Sequence, residues 1–167
     1  MPSRHQLDPP LLDPRGPRVA AGITALVLGV ALAAGSPWLP ALLVGQAVVF
    51  ALGAAGRSPY GVLYARLVRP RLSPPAELED PRPVRFAQAV GLAFTLVALA
   101  GAAVSSDAVT VVAAALALAA AFLNAAFGLC LGCEAHLLRR RATSSTPIAR
   151  TVPDPRTAIR STEEVHA

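Results

Sequence analysis

No charged residue occurs between Val19 and Gly56, between Phe86 and Val104, or between Ala108 and Cys133. A helix of about 20 apolar residues crosses the ~30 Å hydrocarbon core of a bilayer. Apolar residues here occupy every face of the helical wheel, unlike the one-sided stripe of a helix packed on a soluble core. Gly35-Ser-Pro-Trp-Leu-Pro40 splits the first run, its prolines and small residues marking a turn, so that run holds two spans, near 15–36 and 39–56. Ser105-Ser-Asp107 separates a third span, Phe86 to Val104, from a fourth, Ala108 to Cys133. The expected fold is therefore all-α, a four-transmembrane-helix bundle. Composition agrees: mean hydropathy is +0.52 and charged residues make up 15%, against about a quarter in soluble domains.

Charge sets a direction. All the basic residues are arginine. Arg4, Arg15 and Arg18 precede the first span; Arg57, Arg66, Arg69, Arg71, Arg82 and Arg85 lie between the second and third; Arg139, Arg140 and Arg141 follow the fourth. The two short turns carry none. By the positive-inside rule both termini and the central connection are expected in the cytoplasm, the chain being multi-pass in the cell inner (plasma) membrane. The arginines flank apolar runs, so the net charge of +5 marks orientation in a lipid bilayer and calls for no nucleic acid. Ala31-Leu-Ala33 resembles a signal-peptide cleavage site. However, Asp8, Asp13 and the prolines of the leader, and a structural twin for the first helix, favour a retained span.

The twin comes from an internal repeat. Asp13-Pro-Arg-Gly-Pro-Arg18 aligns with Asp80-Pro-Arg-Pro-Val-Arg85, and at the same offset of 67, without a gap, Tyr60-Gly61 falls on Phe127-Gly128. Two duplicated helical hairpins of the same orientation are expected, repeat 1 over 13–68 and repeat 2 over 80–135, within a membrane domain of 13–141. Asp and Pro suit the N-cap and first helical position, so each motif should begin a helix. Arg15 with Arg18, and Arg82 with Arg85, share a helix face at the membrane boundary, as anchors or as an anion or lipid head-group site. A short interfacial helix over 59–68, an exposed loop over 70–83, continuous helix from the fourth span to about Arg141, a flexible N-terminus over 1–12 and a disordered tail over 142–167 complete the expectation. Leu63 and Arg66 would then stand where the second half has Cys130 and Cys133.

Those two are the only cysteines. On a continuous helix they share a face, within disulfide reach. A cytoplasmic position keeps thiols reduced, which argues against a structural disulfide. A helix C-terminal position also disfavours thiolate, leaving Arg82, Arg85, Arg139 and Arg140 to compensate. Glu134 could orient an arginine or relay a proton. Cys130, Cys133 and His136 form a drifting stripe, a weak alternative metal set that a dimer would have to complete, since His5 and His166 lie in the ends. Gln46 and Asn124 sit inside spans, where hydrogen bonding between helices is the ordinary role. Nothing in the pattern calls for a cofactor.

Phe122-Leu-Asn-Ala-Ala-Phe-Gly-Leu-Cys-Leu-Gly-Cys-Glu134, with Asp-Pro-Arg-Pro-x-Arg-Phe at 80–86 and Ser-Pro-Tyr-Gly at 58–61, resembles a bacterial membrane family catalogued as domain of unknown function 4395, over about 11–141. Leu129 stands where an aromatic is commoner. The resemblance carries no reaction. It implies the company of thioredoxin-like and sulfurtransferase proteins, and it transfers only Cys130, Cys133 and Glu134 as motif residues. The first functional expectation is a membrane partner in thiol redox or sulfur transfer. The others are a small carrier or transporter subunit, or structural membrane protein, with non-catalytic cysteines, and a dimeric metal-binding protein. The absence of charge inside every span weighs against ion transport by a monomer.

The topology is open to test. Reporters fused after Arg141 or inserted within 70–80 should read cytoplasmic, and insertions beside Pro37 or Asp107 external. An external reading from 70–80 would overturn the orientation.

Overall fold

The computed structural model describes residues 11–35, 37–75 and 77–143; the leader before Leu11 and the tail after Thr143 lie outside the described residues. The described chain is all-helical: α1 (Arg15–Ala34), α2 (Trp38–Ala54), α3 (Pro59–Leu67), α4 (Pro81–Ala103), α5 (Asp107–Phe127) and α6 (Leu131–Thr143), with one 3-10 turn at Arg69–Arg71. α1, α4 and α5 are each long and apolar enough to cross a membrane, and α2 qualifies together with α3 as a pair bent by 79°. Leu26, Val44, Val97 and Val112 on the outer faces are half or more exposed, as lipid-facing positions would be. These features define a multi-pass membrane protein.

Small residues let the helices approach. The core cluster is Leu28, Ala31, Leu39, Leu43, Ala98, Ala113, Ala114 and Ala117, and alanine at five of these eight positions brings backbones close, the usual basis of helix packing in lipid. α1 packs most extensively on α5, and α2 on α4. Along the second pair, Arg85, Gln88 and Gly91 of α4 meet Gly56, Gly53 and Phe50 in antiparallel register. The buried polar side chains of the spans are hydrogen-bonded, whereas the buried Nδ1 of His136 in α6 has no partner among the described residues. Gln46, 1% exposed, donates to the Thr24 hydroxyl at 3.3 Å and accepts from the Tyr60 hydroxyl at 3.1 Å, the interhelical role expected of it. Thr95 and Thr110 donate to the carbonyls of Gly91 and Ser106 one turn back.

The two Asp-Pro-Arg motifs begin helices as expected. The Asp80 carboxylate accepts the Arg82 N–H at 2.9 Å as N-cap of α4. Asp13 accepts the Arg15 N–H at 3.0 Å, although Pro14 is the N-cap of α1. Just ahead of them, Leu12 and Glu79 exchange both backbone hydrogen bonds, at 2.9 and 2.8 Å. Leu12 is thereby tied down and does not belong to a flexible leader.

Three expectations need correction. The fourth span does not run on to Arg141. It ends at Phe127, Gly128 turns left-handed (φ 72°), and α6 starts afresh at Leu131, running to Thr143. The repeat register at the hairpin ends also shifts. Tyr60-Gly61 lies within α3, whereas Phe127-Gly128 closes α5, because α4 and α5 have 23 and 21 residues against 20 and 17 in α1 and α2. The residues in like positions are the left-handed glycines Gly56 and Gly128, followed by Ser58 and Cys130 at the head of α3 and α6, not Leu63 and Arg66. Finally, the central loop is shorter than 70–83, since α4 begins at Pro81.

α3 is strapped to α1. The Tyr64 ring lies over Gly16, and its hydroxyl donates to the Asp13 carboxylate at 2.8 Å. Burial opposes ionisation of Asp13, but hydrogen bonds from the Arg15 N–H and Tyr64 and the charges of Arg15 and Arg69 outweigh it, holding this carboxyl below its ordinary value. Burial, then the bond to Asp13 and its charge, push the Tyr64 phenol up. A carboxyl depressed in the folded state stabilises above its unfolded pKa and loses that contribution as pH falls through the folded value. The strap should hold throughout neutral pH and weaken only in acid, below the ordinary carboxylate range. Tyr64→Phe should lower amide protection across α3 by roughly tenfold at neutral pH, measured by hydrogen exchange. Unchanged protection would show that ring packing alone holds α3.

Candidate thiol–disulfide site

Phe127-Gly-Leu-Cys-Leu-Gly-Cys is apolar throughout, and hydropathy alone would extend the helix through it. Gly128 breaks it by adopting a left-handed conformation that side chains other than glycine rarely take. Cys130 is left at the N-cap position of α6. Its carbonyl accepts the Glu134 N–H at 3.0 Å and its sulfur accepts the Cys133 N–H at 3.3 Å. Ser58 plays the same part for α3, its hydroxyl accepting the Gly61 N–H at 3.2 Å.

Cys130 and Cys133 are joined as a disulfide, with Cα atoms 5.2 Å apart. The expectation of free thiols is corrected here. So is the electrostatic sign: the pair stands at a helix N-terminus, where backbone N–H groups and the dipole favour negative sulfur. Stabilising the reduced form of such a pair makes its disulfide a better electron acceptor.

The cations also differ from expectation. Arg85 lies over Gly56 at the end of α2, Arg82 stands 4.0 Å from Asp80 at the head of α4, and the cavity that holds the cysteines is lined by Arg18 instead. Its guanidinium carbon is 3.6 Å from where a Cβ on Gly128 would stand, over the C-terminus of α5, and it lines the same cavity as the disulfide. Arg15 donates to the Ser73 carbonyl at 3.1 Å, at the α3 strap. Glu134 is exposed in the first turn of α6, on the cavity rim. His136 turns away to pack on Phe86, ring centroids 5.3 Å apart. Among the described residues no group of three or more His, Cys, Asp or Glu gathers as a metal site, and the stripe of Cys130, Cys133 and His136 does not converge on one.

The cavity holds about 650 Å³ between α1, α4, α5 and the break before α6. Both cysteines, Arg18, Gln88 and Asn124 line it. Asn124, expected to bond between helices, instead makes no side-chain hydrogen bond among the described residues, and neither does Gln88. Arg18 and Gln88 in this role were not foreseen. Position could have found them, since each lies on the face of its helix that an antiparallel neighbour's glycine meets.

A cysteine pair on a cavity wall in an all-helical, multi-pass membrane protein is the class that the geometry defines. The chain belongs to the family described as domain of unknown function (DUF4395), whose family model matches residues 12–141. No curated protein and no solved structure matches it.

α6 rests on α4 through Gly132. A Cβ there would stand 2.6 Å from the Ala87 Cα, backbone that cannot move aside cheaply. Gly132→Ala should lift α6 from α4 at about 1–3 kcal/mol, as overpacking does, and lower α6 amide protection tenfold or more by hydrogen exchange. Protection equal to wild type would disprove the close approach.

Proposed function

We propose that this chain is a four-span bundle of two duplicated hairpins, with α3 and α6 at the cytoplasmic surface of the plasma membrane. Its Cys130–Cys133 pair exchanges disulfide, or carries sulfur, with a soluble thiol protein such as a thioredoxin-like or sulfurtransferase partner. The observation that carries this reading is the place of Cys130 at the N-cap of α6, sulfur accepting the Cys133 N–H, on the wall of a cavity. A partner thiolate attacks one sulfur of the disulfide. The S–S bond breaks, the other sulfur leaves as thiolate, and the helix N-terminus stabilises that charge. The partner's second thiol then resolves the mixed disulfide, leaving the partner oxidised and this pair reduced. Arg18 supports the thiolate through space, and Glu134 relays protons at the rim. The duplication is supported by the Leu12–Glu79 pairing at the repeat offset and by the matched positions of Arg18 over Gly128 and Arg85 over Gly56.

After chemical reduction, at least one of the two thiols should alkylate with a water-soluble reagent at an apparent pKa below the ~8.5 of free cysteine. Arg18→Gln should raise that pKa, while Arg85→Gln, at the other helix end, serves as the control. Replacing both cysteines by Ser should abolish exchange with a soluble dithiol and leave membrane insertion intact. Two thiols that resist alkylation after reduction would leave the pair a purely structural link.

A further inference from the structure

The cavity beside the disulfide does not end at the polar groups. Phe94 and Leu116 on its wall also belong to a second, shallower groove of about 430 Å³ between α4 and α5, which continues past Val97, Val109 and Val112. That groove is lined by apolar side chains alone, and Val97, Val112 and Leu116 are half or more exposed on the outer surface of the bundle. The two spaces form one path: a polar head compartment holding Cys130, Cys133, Arg18, Gln88 and Asn124, then an apolar channel along the spans. The head compartment falls within the ~300–1,000 Å³ of ordinary ligand sites.

We infer that this path binds a lipid-soluble quinone, its ring in the head compartment and its isoprenoid tail along the α4–α5 groove, and that the quinone reoxidises the Cys130–Cys133 dithiol. The inference rests on the reading of the pair as an exchanging one. A disulfide placed to accept electrons must be regenerated after each exchange, and a quinone is a two-electron acceptor that travels in the bilayer. Arg18, Gln88 and Asn124 offer N–H donors to its carbonyl oxygens, and the two amides make no other side-chain hydrogen bond among the described residues. In the step, two S–H bonds break and one S–S bond forms. Two electrons pass to the quinone and two protons end on its oxygens, giving the quinol.

Full-length protein in phosphatidylcholine nanodiscs, reduced and freed of reductant, is mixed with a decyl-tailed benzoquinone whose ring is fully substituted, so that thiols cannot add to it. Quinone absorbance and free thiols are followed together. One quinol should form per dithiol lost, at least tenfold faster than with tetramethylbenzoquinone, which has no tail. Ala121→Phe, filling the head compartment, should remove that advantage. Exchange with a soluble dithiol is measured separately on wild type without quinone. Exchange present, but quinone unreduced or reduced equally with and without a tail, overturns the inference alone and leaves the path to phospholipid. Exchange absent as well overturns the reading on which it rests.

Discussion

The left-handed backbone at Gly128 decides what the cysteine pair can be. Had the helix run through it, Cys130 and Cys133 would lie near a C-terminus, facing carbonyl oxygens and a dipole that repels a thiolate. The break reverses both. It presents the cysteines to free N–H groups at the head of α6, and it leaves the last carbonyls of α5 beneath Arg18. One residue without a Cβ thus converts an unfavourable electrostatic setting into a favourable one without adding a charged side chain to any span.

Such a break has to be supported. Near the hydrocarbon region each unpaired backbone group is costly, so a helix interruption survives only where other groups satisfy it. Here Gly128 donates to the Asn124 carbonyl and Leu129 to that of Leu123, while Cys130 accepts from Glu134 and Cys133. Gly132 then lets α6 lie directly against the α4 backbone at Ala87. The two glycines do different work in one motif: the first by conformation, the second by closeness. Gly128 precedes the cysteines and Gly132 stands between them, so the disulfide and its mounting are encoded in the same few residues.

Much of the helical layout was legible because charge and proline are strong signals in an apolar chain. The first two spans fall within two residues of their observed ends, Asp80-Pro81 marks the start of α4 by its capping chemistry, and the fourth span ends at Phe127, six residues short of Cys133. The break at Gly128 was not legible from hydropathy, since Leu129 and Leu131 continue the apolar run. The offset of 67 held at the starts, where Asp, Pro and Arg are distinctive, and failed at the ends, where longer α4 and α5 shift the glycines by five residues. Arg18 was expected at the membrane boundary with Arg15 and not over Gly128. Proximity was inferred from antiparallel neighbours in sequence, whereas the closest partner of α5 across the bundle is α1.

That interleaving gives the two halves a common plan with unequal chemistry. Each has a left-handed glycine under an arginine from the other half, and each follows it with a small side chain capping a short helix. In the first half the cap is Ser58, and the helix it starts is strapped through Tyr64 to Asp13 and through Tyr60 to Gln46. In the second half the cap is Cys130, and the matching space beneath it stays open as the cavity. A hydroxyl and a thiol can cap a helix alike, but only the thiol can form a covalent bond with Cys133 and break it again. Where the first half fills its interior with hydrogen-bonded tyrosines, the second leaves room beside a reducible bond.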